Sequence, residues 1–217
     1  MHFHIITLFP KAFGSYLSES VLKRALEDRK IKVSFYNPRD FVKDKHKRID
    51  RPPYAGGPGM VIQAEPVIAA VAKAIAGRRK QDVKIIFLSP NGKQFTNQYA
   101  HKTAKKYKHI VIICGRYEGI DARVKKVFKT DEVSVGPFVL TGGELPAMII
   151  LDVIARQVPG VLGNFDSIEE RRVSSSEVYT RPEAFRYNGK SYRVPKILLS
   201  GHRAKIEKWK KRSRLNK

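Results

Sequence analysis

Short apolar runs that end in glycines constrain this chain more than any other feature. Ile110 to Cys114 is wholly apolar, and Gly115-Arg116-Tyr117-Glu118-Gly119 follows at once. A second run, Val133 to Val135, leads into Gly136-Pro137-Phe138-Val139-Leu140-Thr141-Gly142-Gly143. A third, Val83 to Leu88, leads into Ser89-Pro90-Asn91-Gly92-Lys93. Short apolar runs bounded by glycine read as strands buried on both faces, the kind a parallel sheet uses. In open α/β sheets ligands bind beyond the carboxyl ends of the strands, where small residues let backbone approach a ligand. Three such loops point to one shared pocket.

The flanking segments supply the rest of an α/β pattern. His2 to Leu8 reads as a first strand stopped by Phe9-Pro10, and Ile31 to Tyr36 as a second. Between them Ser18 to Lys30 has helical spacing, with Ser18 as its cap. Further helices are expected at Glu65 to Ala76, Thr96 to Tyr107 and Gly143 to Gln157. Strands alternate with helices from residue 1 to about residue 160, the α/β signature. The opening β-α-β has no G-x-G-x-x-G, which argues against a dinucleotide site there. His2 and His4 share one face of the first strand without a third ligand near them in sequence, so packing or surface roles are expected. Pro52 to Met60 holds three glycines and three prolines in nine residues, which excludes a helix or central strand. A long irregular loop of that kind in a compact domain reads as functional.

Charge narrows the partners. Lys plus Arg number 43 against 20 Asp plus Glu, a formal net charge of +23. Such an excess favours a polyanion, nucleic acid first. The last fifteen residues, from Arg203, hold eight Lys or Arg and a single acidic residue, with Trp209 among them. That basic helix, Lys43 to Arg51 and Arg181 are candidates for phosphate contacts. The one cysteine, Cys114, rules out an intrachain disulfide and fits a reducing compartment, and its place at a strand end suits a structural thiol. No apolar run approaches the roughly 20 residues of a membrane span. A protein free of membrane, in the cytoplasm, is expected. Beyond Pro159 the composition turns polar and serine-rich. The expected organisation is a domain over 1–160, a flexible linker over 161–177, and a small basic domain over 178–217, mainly helical.

With these residues in view, the chain resembles the bacterial tRNA (guanine-N1)-methyltransferases of the SPOUT superfamily. The motifs that carry the likeness run in order along nearly the whole chain: PPYAGGPGM at 52–60, LSPNGKQF at 88–95, CGRYEGID at 114–121, VGPFVLTGGELPAM at 135–148, PGVLG at 159–163, YTRP at 179–182 and VPKILLSG at 194–201. The resemblance implies a mostly parallel sheet threaded as a deep trefoil knot, with S-adenosylmethionine bent in the knotted loops. It implies a homodimer whose active sites are shared between chains, and a tRNA substrate methylated on N1 of guanosine 37. Magnesium dependence is a further implication, although no metal-ligand cluster is evident in the sequence.

The resemblance also assigns roles residue by residue. Leu88, Ser89 and Pro90 would line the adenosyl end of the cofactor. Gly115, Tyr117, Glu118 and Gly119 would form a second wall. Val135, Gly136, Phe138, Val139, Leu140, Gly142, Gly143 and Pro146 would enclose the adenine and bend the cofactor. Arg156, on the helix after the knot, would face the reacting guanine. The family's base is a linker aspartate, and here two alignments compete: one makes Asp166 the base, and the other leaves Glu169 or Glu170 to substitute. Pro137 and Gly201-His202-Arg203 depart from the family pattern. Two functions of different class follow: an active tRNA methyltransferase, and an RNA-binding SPOUT-fold protein that has lost catalysis.

Overall fold

The computed structural model describes residues 1–54, 56–163 and 177–215, with side chains as far as residue 210. It divides into two compact units, Met1–Leu162 and Gly163–Lys217. The first unit is built on β1 (His2–Ile6), β2 (Lys32–Tyr36), β5 (Val83–Gln94), β6 (His109–Ile113) and β7 (Asp131–Ser134). They form one five-stranded sheet in the order β2-β1-β6-β5-β7, and every pairing in it is parallel. A separate two-stranded antiparallel ribbon joins β3 (Asp50–Arg51) to β4 (Val61–Ile62).

Helices cover both faces. On one side α2 (Ser20–Glu27), α4 (Asn97–Lys106) and α6 (Glu144–Ala155) pack on Phe3, Ile5, Ile86, Ile110 and Ile112. On the other, α3 (Ala64–Ile75) and α5 (Arg123–Val127) pack on Ile6, Ile85, Phe87, Val111 and Ile113. The two-residue alternation of a strand assigns neighbouring residues to opposite covers. Both covers are apolar, which is why the strand sequences are nearly continuous hydrophobic runs. In α3 the buried Val67, Ala70, Val71 and Ala74 repeat at helical spacing, and Pro66 is tolerated because it falls in the first turn. The Thr96 hydroxyl caps α4 by accepting from the Tyr99 N–H at 3.2 Å.

The start of the second helix differs from expectation. Ser18 does not cap it; Ser18 closes the short α1 (Gly14–Leu17), its N–H donating to Gly14 O at 3.1 Å. Its hydroxyl, pointing back, donates to Ser15 O at 3.0 Å. α2 then begins at Ser20, with Glu19 before it in extended conformation.

The histidines take the expected packing role but gain a partner distant in sequence. The parallel register of β1 and β6 sets His2 opposite His109, so a third imidazole is close although it lies 105 residues from His4. His4 Nε2 and His109 Nδ1 are 3.2 Å apart, and the Tyr36 hydroxyl is 3.2 Å from His4 Nδ1. His2 Nε2 lies 2.9 Å from Ser34 Oγ, and Arg78 Nε donates to His109 Nδ1 at 3.2 Å. Sequence reasoning missed this cluster because only strand pairing creates it. Burial lowers all three pKa values, with Lys32, Arg78 and the N-terminal ammonium adding repulsion; His2 falls to about 4 and His4 to about 3. The triad is a hydrogen-bonded packing element across β1 and β6.

The second unit has its own small framework. β8 (Ala184–Tyr187) and β9 (Lys190–Arg193) form an antiparallel hairpin, followed by α7 (Lys196–Leu199) and α8 (Arg203–Leu215). The turn residues Asn188 and Gly189 have φ of 48° and 75°. That pair suits the type I′ turns that match strand twist. Trp209 on α8 sits 6.3 Å, centroid to centroid, from the Tyr179 ring, so the aromatic of the basic tail is a packing anchor. Among the described residues no helix is long and apolar enough to cross a membrane.

The histidine triad yields a pH prediction. Its folded pKa values lie below the ordinary histidine value, so as pH falls below about 6.5 the unfolded chain takes up protons first and stability is lost, down to about pH 3. Urea midpoints measured between pH 7 and pH 4.5 should fall, and His4→Gln should flatten that dependence. Parallel pH profiles for the two proteins would show that the triad carries none of it.

Candidate functional site

The carboxyl ends of β5, β6 and β7 open into one cleft of about 440 Å³, within the range of small-molecule sites. The chain makes room for it by breaking register. Leu88 and Lys93 both pair with Val133, so Ser89 to Gly92 are thrown out of the ladder toward the cleft. Only glycine fits at the pinch: a Cβ on residue 92 would stand 2.5 Å from the Val133 nitrogen. The expected Ser89 to Lys93 loop is thus an excursion inside one long strand.

The second wall follows β6. Gly119 N–H donates to Arg116 O at 3.0 Å, closing a tight turn that holds Tyr117 at φ 59°. A non-glycine residue there stores roughly 1–2 kcal/mol of strain, of the kind found at ligand sites. The turn is braced from outside by β4: Ile62 N–H donates to Gly119 O at 3.0 Å, and Asp121 N–H donates to Ile62 O at 2.9 Å. Glu118 N–H donates to Met60 O at 3.0 Å, so the Pro52 to Met60 loop is fastened to the cleft wall at its far end. Its Tyr54 side chain, 97 % exposed, stands free in solvent.

The third wall runs from Val135 to the start of α6. Gly143 N–H donates to Gly115 O at 2.9 Å. A Cβ on residue 143 would meet Cys114 Cα at 2.6 Å, so the two loops touch backbone to backbone. An ion pair locks the contact: Arg116 Nε donates to Glu144 Oε2 at 3.0 Å, and the Thr7 hydroxyl donates to Glu144 Oε1 at 2.8 Å. Arg116 also donates to Thr141 O at 3.3 Å and lies over the Phe9 ring, 4.6 Å from its centroid. Burial, then the Glu144 charge, pushes the Cys114 thiol well up, which makes it a packing group and no nucleophile.

Fourteen of the fifteen residues expected to bind cofactor line this cleft. They are Leu88, Ser89 and Pro90 from the first loop, Gly115, Tyr117, Glu118 and Gly119 from the second, and Val135, Phe138, Val139, Leu140, Gly142, Gly143 and Pro146 from the third. Gly136 stands behind them, its N–H 3.3 Å from the Ser134 hydroxyl and the Phe138 ring packed where a side chain would be. The structure adds Arg116, Lys125, Glu132 and Thr141, which the sequence reading did not single out. Arg116 lay inside the quoted Gly-Arg-Tyr-Glu-Gly motif; Lys125 and Glu132 pair with each other at 3.0 Å only because α5 folds beside β7. Arg156 is not brought to the cleft of its own chain. It follows α6 at the end opposite Pro146, roughly 15 Å along the helix axis. Asp166, Glu169 and Glu170 lie outside the described residues.

A parallel α/β sheet with such a cleft at the carboxyl ends of its strands has the form of a small-molecule site. The chain as a whole, residues 1–217, matches the family described as tRNA (Guanine-1)-methyltransferase TrmD. It is similar to proteins named tRNA (guanine-N(1)-)-methyltransferase from three organisms. The Ruminiclostridium cellulolyticum protein is 43 % identical over 221 residues, covering 100 % of this chain and 92 % of the relative. That of Clostridioides difficile is 42 % identical over 215 residues, covering 97 % and 91 %. That of Caldanaerobacter subterraneus subsp. tengcongensis is 44 % identical over 219 residues, covering 99 % and 87 %. The chain belongs to the tRNA (guanine-N1)-methyltransferase family.

The Arg116–Glu144 pair can be weighed directly. In Arg116→Met the Glu144 carboxylate, 4 % exposed, keeps Thr7 but loses its cation. Unfolding in urea should show a loss of about 2–4 kcal/mol. A loss below about 1 kcal/mol would place the pair among weak surface bridges.

Proposed function

We propose that this chain transfers a methyl group from S-adenosylmethionine to N1 of guanosine 37 of tRNA. The observation that carries the reading is the single cleft built by the three glycine-rich loops of a chain that matches the family along its full length. Its size and its glycine-rich walls suit an adenosyl group, whose faces need apolar cover. Leu88, Val135, Val139 and Leu140 provide that cover. When bound, the cofactor supplies a methyl group activated by its positively charged sulfur.

The remaining chemistry belongs to the chain. Guanine N1 carries a proton at neutral pH and must lose it before its lone pair can form the new N–C bond as the S–C bond breaks. Asp166 takes that proton as general base, with Glu169 and Glu170 as alternatives. Arg156 holds the charge that develops on guanine O6. Because Arg156 lies at the far end of α6 from the cleft, it acts in a second copy's site, and this supports the homodimer. Leu145 and Ile149, 52 % and 39 % exposed, share its helix face at spacings of four and seven residues, giving an apolar seam that a partner would cover. Phe138 and Val139 extend the exposed apolar surface at the cleft mouth.

The knotted SPOUT threading, the arrangement as a 1–160 catalytic domain, a 161–177 linker and a 178–217 tRNA-binding domain, and the cytoplasmic location are parts of the same proposal. Magnesium fits less well. The only group of three potential ligands found among the described residues is His2, His4 and His109, a nitrogen set facing cations, whereas magnesium takes oxygen ligands. No step is assigned to it.

The test is transfer of labelled methyl to a tRNA transcript bearing guanosine 37. Wild type should be active, and Asp166→Ala should lose about a hundredfold or more while still binding cofactor. A comparable loss in Glu169→Ala or Glu170→Ala alone would move the base there. A wild-type protein that binds both ligands and transfers nothing across pH and magnesium would be the RNA-binding protein without catalysis.

A further inference from the structure

The β8–β9 hairpin carries a surface that the methyl-transfer site does not use. Its register sets Phe185 opposite Tyr192 and Tyr187 opposite Lys190. Residues two apart on a strand share a face, as do cross-strand partners, so Phe185, Tyr187, Tyr192 and Lys190 all project from one side. The other side carries Arg186 and Arg193. The aromatics are open: Phe185, Tyr187 and Tyr192 are 58 %, 64 % and 47 % exposed. The rings of Phe185 and Tyr192 are stacked, 5.4 Å between centroids and 16° between planes. Three bare aromatics on ten residues are costly in water unless something covers them.

We infer that this face is a base-stacking platform for unpaired nucleotides of the RNA substrate. The inference rests on the tRNA reading above and adds a binding site to it. Charge selects the occupant: Ala184 to Arg193 holds Arg186, Lys190 and Arg193 and no carboxylate, so phosphates passing the rim meet cations. A base can extend the Phe185–Tyr192 stack on an outer face, or lie on Tyr187 beside Lys190, with its phosphate toward Lys190 or the arginines. Stacking is tolerant of sequence, which suits an enzyme acting on several tRNAs. The Asn188-Gly189 turn fixes the strand twist, so the platform is formed before RNA arrives and little entropy is lost on binding.

The test uses the full chain, with a tRNA transcript, and with a single-stranded and a duplex RNA of equal charge. Replacing Phe185, Tyr187 and Tyr192 by alanine should raise the tRNA Kd about tenfold or more and leave S-adenosylmethionine affinity and the salt slope unchanged. Wild type should favour the single-stranded RNA over the duplex, and the variant should lose that preference. Phe185→Tyr with Tyr192→Phe should keep it, which separates stacking from a general loss of folding. An unchanged tRNA Kd, or an equal loss for single-stranded and duplex RNA, overturns the platform. So does a change of oligomeric state with RNA affinity intact, which would assign the face to a second copy of the chain. The RNA affinities read the hairpin whether or not methyl is transferred, so failure of the methyltransferase reading would appear separately.

Discussion

Glu144 is a buried carboxylate on which three separate parts of the first unit converge. It sits at the first position of α6, where the helix dipole favours a negative charge. One oxygen accepts from Thr7, just past β1, and the other from Arg116, just past β6. Arg116 in turn reaches the carbonyl of Thr141 in the loop before α6. A carboxylate removed from water is costly unless its lone pairs are filled, so the loops are held where they fill them. The Gly143–Gly115 backbone bond and the glycine contact against Cys114 then follow, because any side chain at 143 would push the arginine turn away from its partner.

The cleft inherits its character from that constraint. Loops fastened at both ends present backbone in fixed positions, and a site formed in advance loses little entropy when a ligand enters. The strained Tyr117 and the Ser89 to Gly92 excursion are local departures from regular geometry. Both are sustained by tighter neighbours, β4 in one case and the Val133 backbone in the other. Both lie at the carboxyl end of the sheet. At the amino end, the histidine triad is packed and linked by hydrogen bonds.

The parallel sheet was legible in the sequence because both of its faces are covered, and doubly buried strands write themselves as apolar runs such as Ile110 to Ile113. The cleft was legible for a related reason: small residues after such runs have few other uses. What the sequence hid depends on distant pairing. The His109 ring joins His2 through strand register, and Lys125 finds Glu132 across a short helix whose five residues carry almost no periodic signal. Ser18 misled because a serine can close one helix as readily as open the next. The β8–β9 hairpin was a missed inference, since Asn188-Gly189 between aromatic-rich segments is a strong turn signal that the basic composition of the tail overshadowed.

Electrostatics separates the two tasks that the proposed function joins. A chain of net charge +23 gathers phosphates over much of its surface. A sulfonium cofactor would be repelled by such a field if the cleft shared it. The cleft does not: Arg116 and Lys125 among its lining are matched by Glu118 and Glu132, and Arg116 is further neutralised by Glu144 behind it. The pocket is therefore near neutrality within a cationic protein. The surface charge favours polyanions, while the near-neutral cleft opposes a cation little. Methyl transfer to RNA requires both conditions, a polyanion held close and a positively charged donor tolerated next to it. The pairing of Lys125 with Glu132 and of Arg116 with Glu144 supplies the second without weakening the first.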